Sequence, residues 1–122
     1  MNKTLKILFI ILGISACSSS FNTPEVSGNI TKVSYYSDKF NGRPTASGEI
    51  FDNSKFTTAH VNLPFGTKVL LTNVANGDTV TVKVNDRGNL NKERAFDITQ
   101  AAFKKIGDLL QGIITVEYKI LN

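Results

Sequence analysis

The chain holds one cysteine and one histidine, and that scarcity excludes much chemistry. A lone cysteine forms no internal disulfide, so the fold must stand on a hydrophobic core. One histidine with no cysteine partner in the domain makes no credible zinc site. No Gly-x-Ser-x-Gly elbow and no phosphate-binding glycine loop is present. The apolar run from Leu5 to Ile14, broken only by Gly13, is too short for a comfortable membrane span. The basic residues are scattered, Lys104-Lys105 being the one adjacent pair, and no basic stripe with interleaved aromatics appears. Nucleic acid is therefore not an expected partner. There is no internal repeat.

What is present divides the 122 residues into three parts. Residues 1–16 have Lys3 and Lys6, the apolar run, and small Ser15-Ala16, the pattern of a cleaved secretory signal. Cys17 follows at once, and "ISAC" resembles the lipobox of bacterial lipoproteins, whose thiol is lipidated and begins the mature chain. The alternative is an ordinary signal beside an idle cysteine. Residues 17–27, with "SSSFNTPEVS", read as the anchored cysteine and a short flexible tether. Residues 28–122 form one domain. Without residues 1–16 twelve basic residues face ten acids, a net of +2.

That domain is mostly strand. "NITKVSYYS" is rich in β-branched and aromatic residues and has no breaker. In "TKVLLTNVANGDTVTVKVND", Asn76-Gly77 suits a two-residue type I′ turn. Counting outward pairs Leu71 with Val82 and Val69 with Val84, and puts Val80, Val82 and Val84 on one buried face. "GIITVEYKIL" alternates Ile114, Val116, Tyr118 and Ile120 with polar residues. One helix is expected over "QAAFKKI", with Thr99 as N-cap, Phe103 and Ile106 in the core, and Gly107 at its end. Many short strands and one helix favour a compact barrel.

Two acids stand among apolar neighbours. Asp86 ends a buried-looking strand before Arg87-Gly88, where a side chain can be presented to a cleft. A carboxyl that gives and then takes a proton suits glycosidic bond cleavage; the alternative is a turn aspartate capping its own loop. Asp97, between Phe96 and Ile98, either pairs with Asp86 or bonds helix amides. Glu49 lies beside a glycine loop that carries Arg43, Thr45 and Ser47. His60 either orients an acid or is structural. Tyr35, Tyr36 and Phe40 offer aromatic faces to sugar rings or to the core.

"SYYSDKFNGRPTASGEIF", "FTTAHVNLPFGTKVLLTNVANG", "VNDRGN" and "FDIT" occur in order over about residues 28–121. Together they resemble the rare lipoprotein A (RlpA) family. The resemblance implies a mainly β, six-stranded double-psi β-barrel with one short helix near the C-terminus. It implies an endolytic lytic transglycosylase that cuts peptide-poor peptidoglycan strands to 1,6-anhydromuramic ends, needing no metal or other cofactor. The family's catalytic acid maps onto Asp86 and its supporting residues onto Glu49 and His60. Asp97 matches an aspartate that related barrels place in the same cleft. With it, Tyr36, Arg43, Thr45 and Arg87 are expected to contact the strand. Ser37, Asn89 and Ile98-Thr99 depart from the family's Gly, Pro and Leu-Ser, which bears on loop geometry more than on chemistry. Many members carry a C-terminal domain that binds septal glycan; none is expected here. The expected setting is the bacterial envelope, with a monomer anchored to a membrane through Cys17 and facing the wall. Ser18 after the cysteine points to the outer membrane where there is one. A non-catalytic, expansin-like wall-binding lipoprotein is the alternative from another class, and a structural envelope lipoprotein a third.

Overall fold

The structure, a computed structural model, describes residues 28–122. The expected signal, the lipidated Cys17 and the tether lie outside the described residues. Six strands form: β1 (Asn29–Tyr35), β2 (Thr57–Ala59), β3 (Lys68–Asn73), β4 (Thr79–Asp86), β5 (Phe96–Ile98) and β6 (Ile114–Ile120). One helix, α1 (Gln100–Ile106), follows β5, and 3₁₀ turns occupy Asp38–Phe40 and Leu109–Gln111. Among the described residues no helix is long and apolar enough to cross a membrane.

The strands close into a barrel in the order β1-β5-β2-β4-β3-β6. β1 with β5, and β2 with β4, run parallel; the other pairs are antiparallel. Parallel neighbours need long crossings rather than tight hairpins. The longest connection between successive strands is the stretch 36–56 from β1 to β2, and it builds one wall of the site described below. The barrel is filled by alternate residues: Val33, Val69, Leu71, Val82, Val84, Phe96, Ile98 and Val116 are all fully buried. Each such side chain contributes about 1.5–3 kcal/mol by leaving water. The expected alternation of β6 holds from Ile114 to Val116 and fades at the barrel's end, where Ile120 is exposed.

The helix has its expected cap. Thr99 Oγ1 accepts from Ala102 N at 3.3 Å, and Ala102, Phe103 and Ile106 are buried. Gly107 ends it in extended backbone, not left-handed backbone. A Cβ there would stand 2.8 Å from Gln111 Oε1, the far end of a side chain that can shift.

The β3–β4 connection differs from the expected type I′ turn. Leu71 faces Val80 and Val69 faces Val82, two positions away from the counted register. The loop has four residues, 74–77, closed by Gly77 N donating to Asn73 O at 2.8 Å. Only Gly77 has positive φ (+78°); Asn76 does not, so the turn is not type I′. Asn76 acts through its side chain, accepting from Asp78 N at 2.8 Å and donating to Ile106 O at 3.1 Å. A slip of two leaves every side chain on its face, whereas a slip of one would reverse them all. Val80, Val82 and Val84 therefore share the buried face as expected.

Gly77→Val forces a β-branched residue into left-handed backbone, at a cost of about 1–3 kcal/mol. The melting temperature should fall by roughly 4–8 °C per kcal/mol in a domain this small. An unchanged melting curve would contradict the turn described.

Candidate active site

Ala59 of β2 is the centre of the arrangement. On one side it pairs with Asp97 of β5, on the other with Asp86 of β4. Thr58, one residue earlier, pairs with core residues Ile98 and Val84 and is itself fully buried. Strand alternation therefore turns Ala59 and both aspartates to the outer face of the barrel. For Asp86 this requires an irregularity. Thr58 pairs with Val84 and Ala59 with Asp86, so Asn85 is an extra residue in β4. Strict alternation from Val84 would send Asp86 inward; the bulge re-aims it.

Asp86 is held by three donors. Tyr36 Oη donates to Oδ2 at 2.5 Å, and Ala46 N and Arg87 N donate to Oδ1 at 2.9 and 2.8 Å. Tyr36 is fixed in turn. Its ring packs on Phe51 (4.4 Å) and Phe40 (5.9 Å), and its carbonyl accepts from Gln100 Nε2 at 2.9 Å. Burial, then the hydrogen bond to Asp86, then the charges of Asp86 and Asp97, push the phenol far above its ordinary range. It is a permanent donor. The 36–56 stretch supplies Ala46 through a tight turn in which Thr45 N and Oγ1 both donate to Glu49 O, at 2.7 and 2.8 Å.

Asp97 is half-buried and accepts from Ser34 Oγ at 3.2 Å. Burial raises its affinity for a proton. The Ser34 hydrogen bond and the charge of Arg94 oppose that, and the negative charge of Asp86 adds to it. The two carboxyls thus have unlike surroundings, Asp86 accepting from Tyr36, Ala46 and Arg87, and Asp97 from Ser34.

Glu49 stands at the edge. Its carboxylate meets Lys83 Nζ at 2.9 Å and Asn85 Nδ2 at 3.1 Å, and these bonds, Lys83 first, hold it below the ordinary carboxylate range. The bulged Asn85 thus links Glu49 to its neighbour Asp86. His60 joins Asp86 through its backbone, His60 N donating to Asp86 O at 3.1 Å. Its ring packs on Phe96 (5.0 Å), and Nδ1 accepts from Asn62 N and Leu63 N at 3.2 and 3.0 Å. Burial, with the Arg87 charge, lowers its basicity and keeps the ring neutral. Arg87 lies over the Phe65 ring at 4.1 Å and donates to His60 O at 3.3 Å. Arg43 lies over Phe40 at 5.7 Å, apart from both carboxylates. Asp86, Asp97 and Tyr36 are therefore brought together, Glu49 and His60 flank them, and Arg43 and Thr45 belong to the supporting loop. Sequence reasoning missed Ser34, Ala46, Asn85 and Arg94. Ala46 acts through its backbone and could not have been found. After the inward Val80, Val82 and Val84, a charged Asp86 at the next inward position was a visible sign of a bulge. Neither Asp86 nor Asp97 lines the surface hollows of about 630 and 320 Å³, which lie against Asn53 and the start of α1 and against Glu49, Lys83 and Asn85 respectively.

The raised proton affinity of Asp97 has a stability consequence. A carboxyl that binds its proton more tightly when folded loses stability as pH rises from the ordinary value of 3.8 through the folded one. Asp97→Asn should therefore melt higher than the parent at pH 7, with the gain vanishing below pH 3.8. Thermal melts of both proteins across that range check it, and a lower melting point for Asp97→Asn at pH 7 would refute it.

The family model described as lytic transglycolase matches residues 29–118. A protein of Treponema pallidum named "Probable endolytic peptidoglycan transglycosylase RlpA" is 52% identical over 84 residues, covering 69% of this chain and 26% of that protein. The endolytic peptidoglycan transglycosylase RlpA of Haemophilus influenzae is 43% identical over 90 residues, covering 74% of this chain and 31% of that one. The chain thus spans about a quarter to a third of the length of these curated relatives. Among solved structures, a mutant expansin of Clavibacter michiganensis in complex with cellohexaose superposes with a TM-score of 0.63 at 20% identity, over 77% of this chain and 50% of that one. That likeness shows the barrel. With the family match over 29–118 and these identities, the chain belongs to the RlpA-like lytic transglycolase family of double-psi β-barrels.

Proposed function

We propose that the protein is an endolytic lytic transglycosylase acting on peptidoglycan glycan strands. The observation that carries this reading is the pair of half-buried carboxyls, Asp86 and Asp97, on either side of Ala59 and outside the barrel core. Asp86 donates its proton to the bridging oxygen of the glycosidic bond, and the bond from that oxygen to the anomeric carbon breaks. The C6 hydroxyl oxygen of the same muramic ring bonds to the anomeric carbon, and its proton passes to the Asp86 carboxylate. The residue is restored, no water is consumed, and a 1,6-anhydro end is left. Tyr36, Ala46 N and Arg87 N fix the carboxyl group's orientation. Glu49 and His60 serve as positioning groups, and Arg87 and Phe65 offer a flat surface to a sugar.

The barrel shared with an expansin holding cellohexaose favours a second reading, in which the same face grips glycan without cutting it. We also propose that Cys17 is lipidated and that the domain works from a membrane surface facing the wall. The support is the sequence alone, an apolar run ending in "ISAC". Cys17→Ala should then leave the membrane fraction, and an unmodified N-terminal peptide in the parent protein would refute the anchor.

Asp86→Asn keeps the shape of the side chain and removes its exchangeable acid proton. It should stay folded by circular dichroism, bind strands, and release 1,6-anhydro ends about 10²–10⁴-fold more slowly than the parent. Full activity in the folded variant would remove Asp86 from the mechanism. Strand binding with no release by the parent protein would establish the second reading.

A further inference from the structure

Arg94 and Ser34 take no part in the steps above, yet they form a chain of contacts that ends on Asp97. Arg94 Nη1 donates to Ser34 Oγ, and Ser34 Oγ donates to Asp97 Oδ1 at 3.2 Å. Ser34 and Asp97 are direct partners on the parallel β1–β5 pair, so strand register places the hydroxyl beside the carboxyl.

The arginine is delivered by a fastened loop. Asn91 Oδ1 accepts from Glu93 N and Arg94 N at 2.9 and 3.0 Å, closing a turn around the residue. Thr31, buried in β1, accepts from Ala95 N at 3.0 Å and donates to Lys92 O at 2.9 Å. Lys32 N donates to Glu93 O at 2.8 Å. Arg94 is therefore tied on both sides to the strand that carries Ser34. An arginine present only for solubility needs none of these ties.

The surroundings of Asp97 explain what the chain is for. From β1 and just beyond it, Ser34 and Tyr36 face the carboxyl; from β2, Ala59, with His60 next; from β4, Asp86, with Arg87 next; from the loop before β5, Arg94. Burial and Asp86 favour a protonated Asp97, and the Ser34 bond and the Arg94 charge oppose them. We propose that Arg94 and Ser34 are positioning residues of the active site, the guanidinium acting through the hydroxyl to hold Asp97 as an ion beside Asp86. Glycosidic cleavage passes through a sugar ring with positive, oxocarbenium-like character. A fixed negative charge beside that ring stabilises the transition state, and a neutral carboxyl does not. This rests on the transglycosylase reading.

The test combines a titration with a rate profile. In the purified protein with ¹³C-labelled aspartate carboxyls, NMR follows the protonation of Asp97 in the parent, Arg94→Gln, Arg94→Lys and Ser34→Ala. The Asp97 midpoint should move to higher pH in Arg94→Gln and Ser34→Ala, and less in Arg94→Lys, which keeps the charge. The acidic limb of the 1,6-anhydro release profile should move the same way. If Arg94→Gln fails to fold by thermal melt, Ser34→Ala decides. An unmoved midpoint, or a moved midpoint with an unmoved limb, overturns the proposal. If the parent releases no 1,6-anhydro ends, the transglycosylase reading has failed, and the titration alone decides whether Arg94 and Ser34 keep Asp97 charged.

Discussion

The site depends on one extra residue in β4. Asn85 has no partner opposite it in β2, and because of that Asp86 turns outward to meet Ala59. Remove the bulge and Asp86 points into a barrel already filled by Val82, Val84 and Phe96. An ionised carboxyl among them would be strongly disfavoured. The same irregularity frees Asn85 Nδ2 to hold Glu49, while Asn85 O accepts from Ser47 N at 3.1 Å and fastens the glycine loop. A single departure from strand alternation thus aims the acid and secures the loop that caps it.

The 36–56 stretch has a second anchor in Asn53, which is buried. Its backbone N donates to Asn41 Oδ1 at 2.8 Å, and its Nδ2 donates to Asp38 Oδ1 at 2.8 Å. Its Oδ1 accepts from Gln100 N at 2.7 Å and its carbonyl from Ala101 N at 3.1 Å. Helix N-termini leave backbone N–H groups without intrahelical partners. Here Gln100 N and Ala101 N of α1 are satisfied by the very loop that brings Tyr36, Ala46 and Glu49 to the site. Helix, loop and Asp86 are therefore mechanically connected, and a change at the helix start is felt at the Tyr36 hydroxyl.

Much of this was legible in the sequence, and the limits have physical causes. The valine alternation of β4 and the Thr99 cap follow from local periodicity and capping chemistry, which need no knowledge of the rest of the chain. The hairpin register did not follow. Asn73 and Asn76 act through side chains bonded to Ile106 O, a carbonyl some thirty positions away. Asp86 and Asp97 attract notice as acids among apolar residues. That they share a face with Ala59 between them depends on the strand order, which no local pattern carries. The strand contacts expected of Arg43 and Thr45 came from the family resemblance and not from a local pattern. In the structure Thr45 closes its own turn and Arg43 lies over Phe40.

The strand order has a kinetic consequence. The bonds that make the site join residues far apart in the chain: Tyr36 to Asp86 across 50 positions, Ser34 to Asp97 across 63. β1 cannot be flanked until β5 and β6, the last strands to emerge, are in place. Closing such long loops is the slow part of folding in chains of high contact order. A barrel closed only part way has no acid pair, no Tyr36 contact and no Arg94 chain. The acid pair, the Tyr36 contact and the Arg94 chain therefore depend on pairings made late, as the barrel closes.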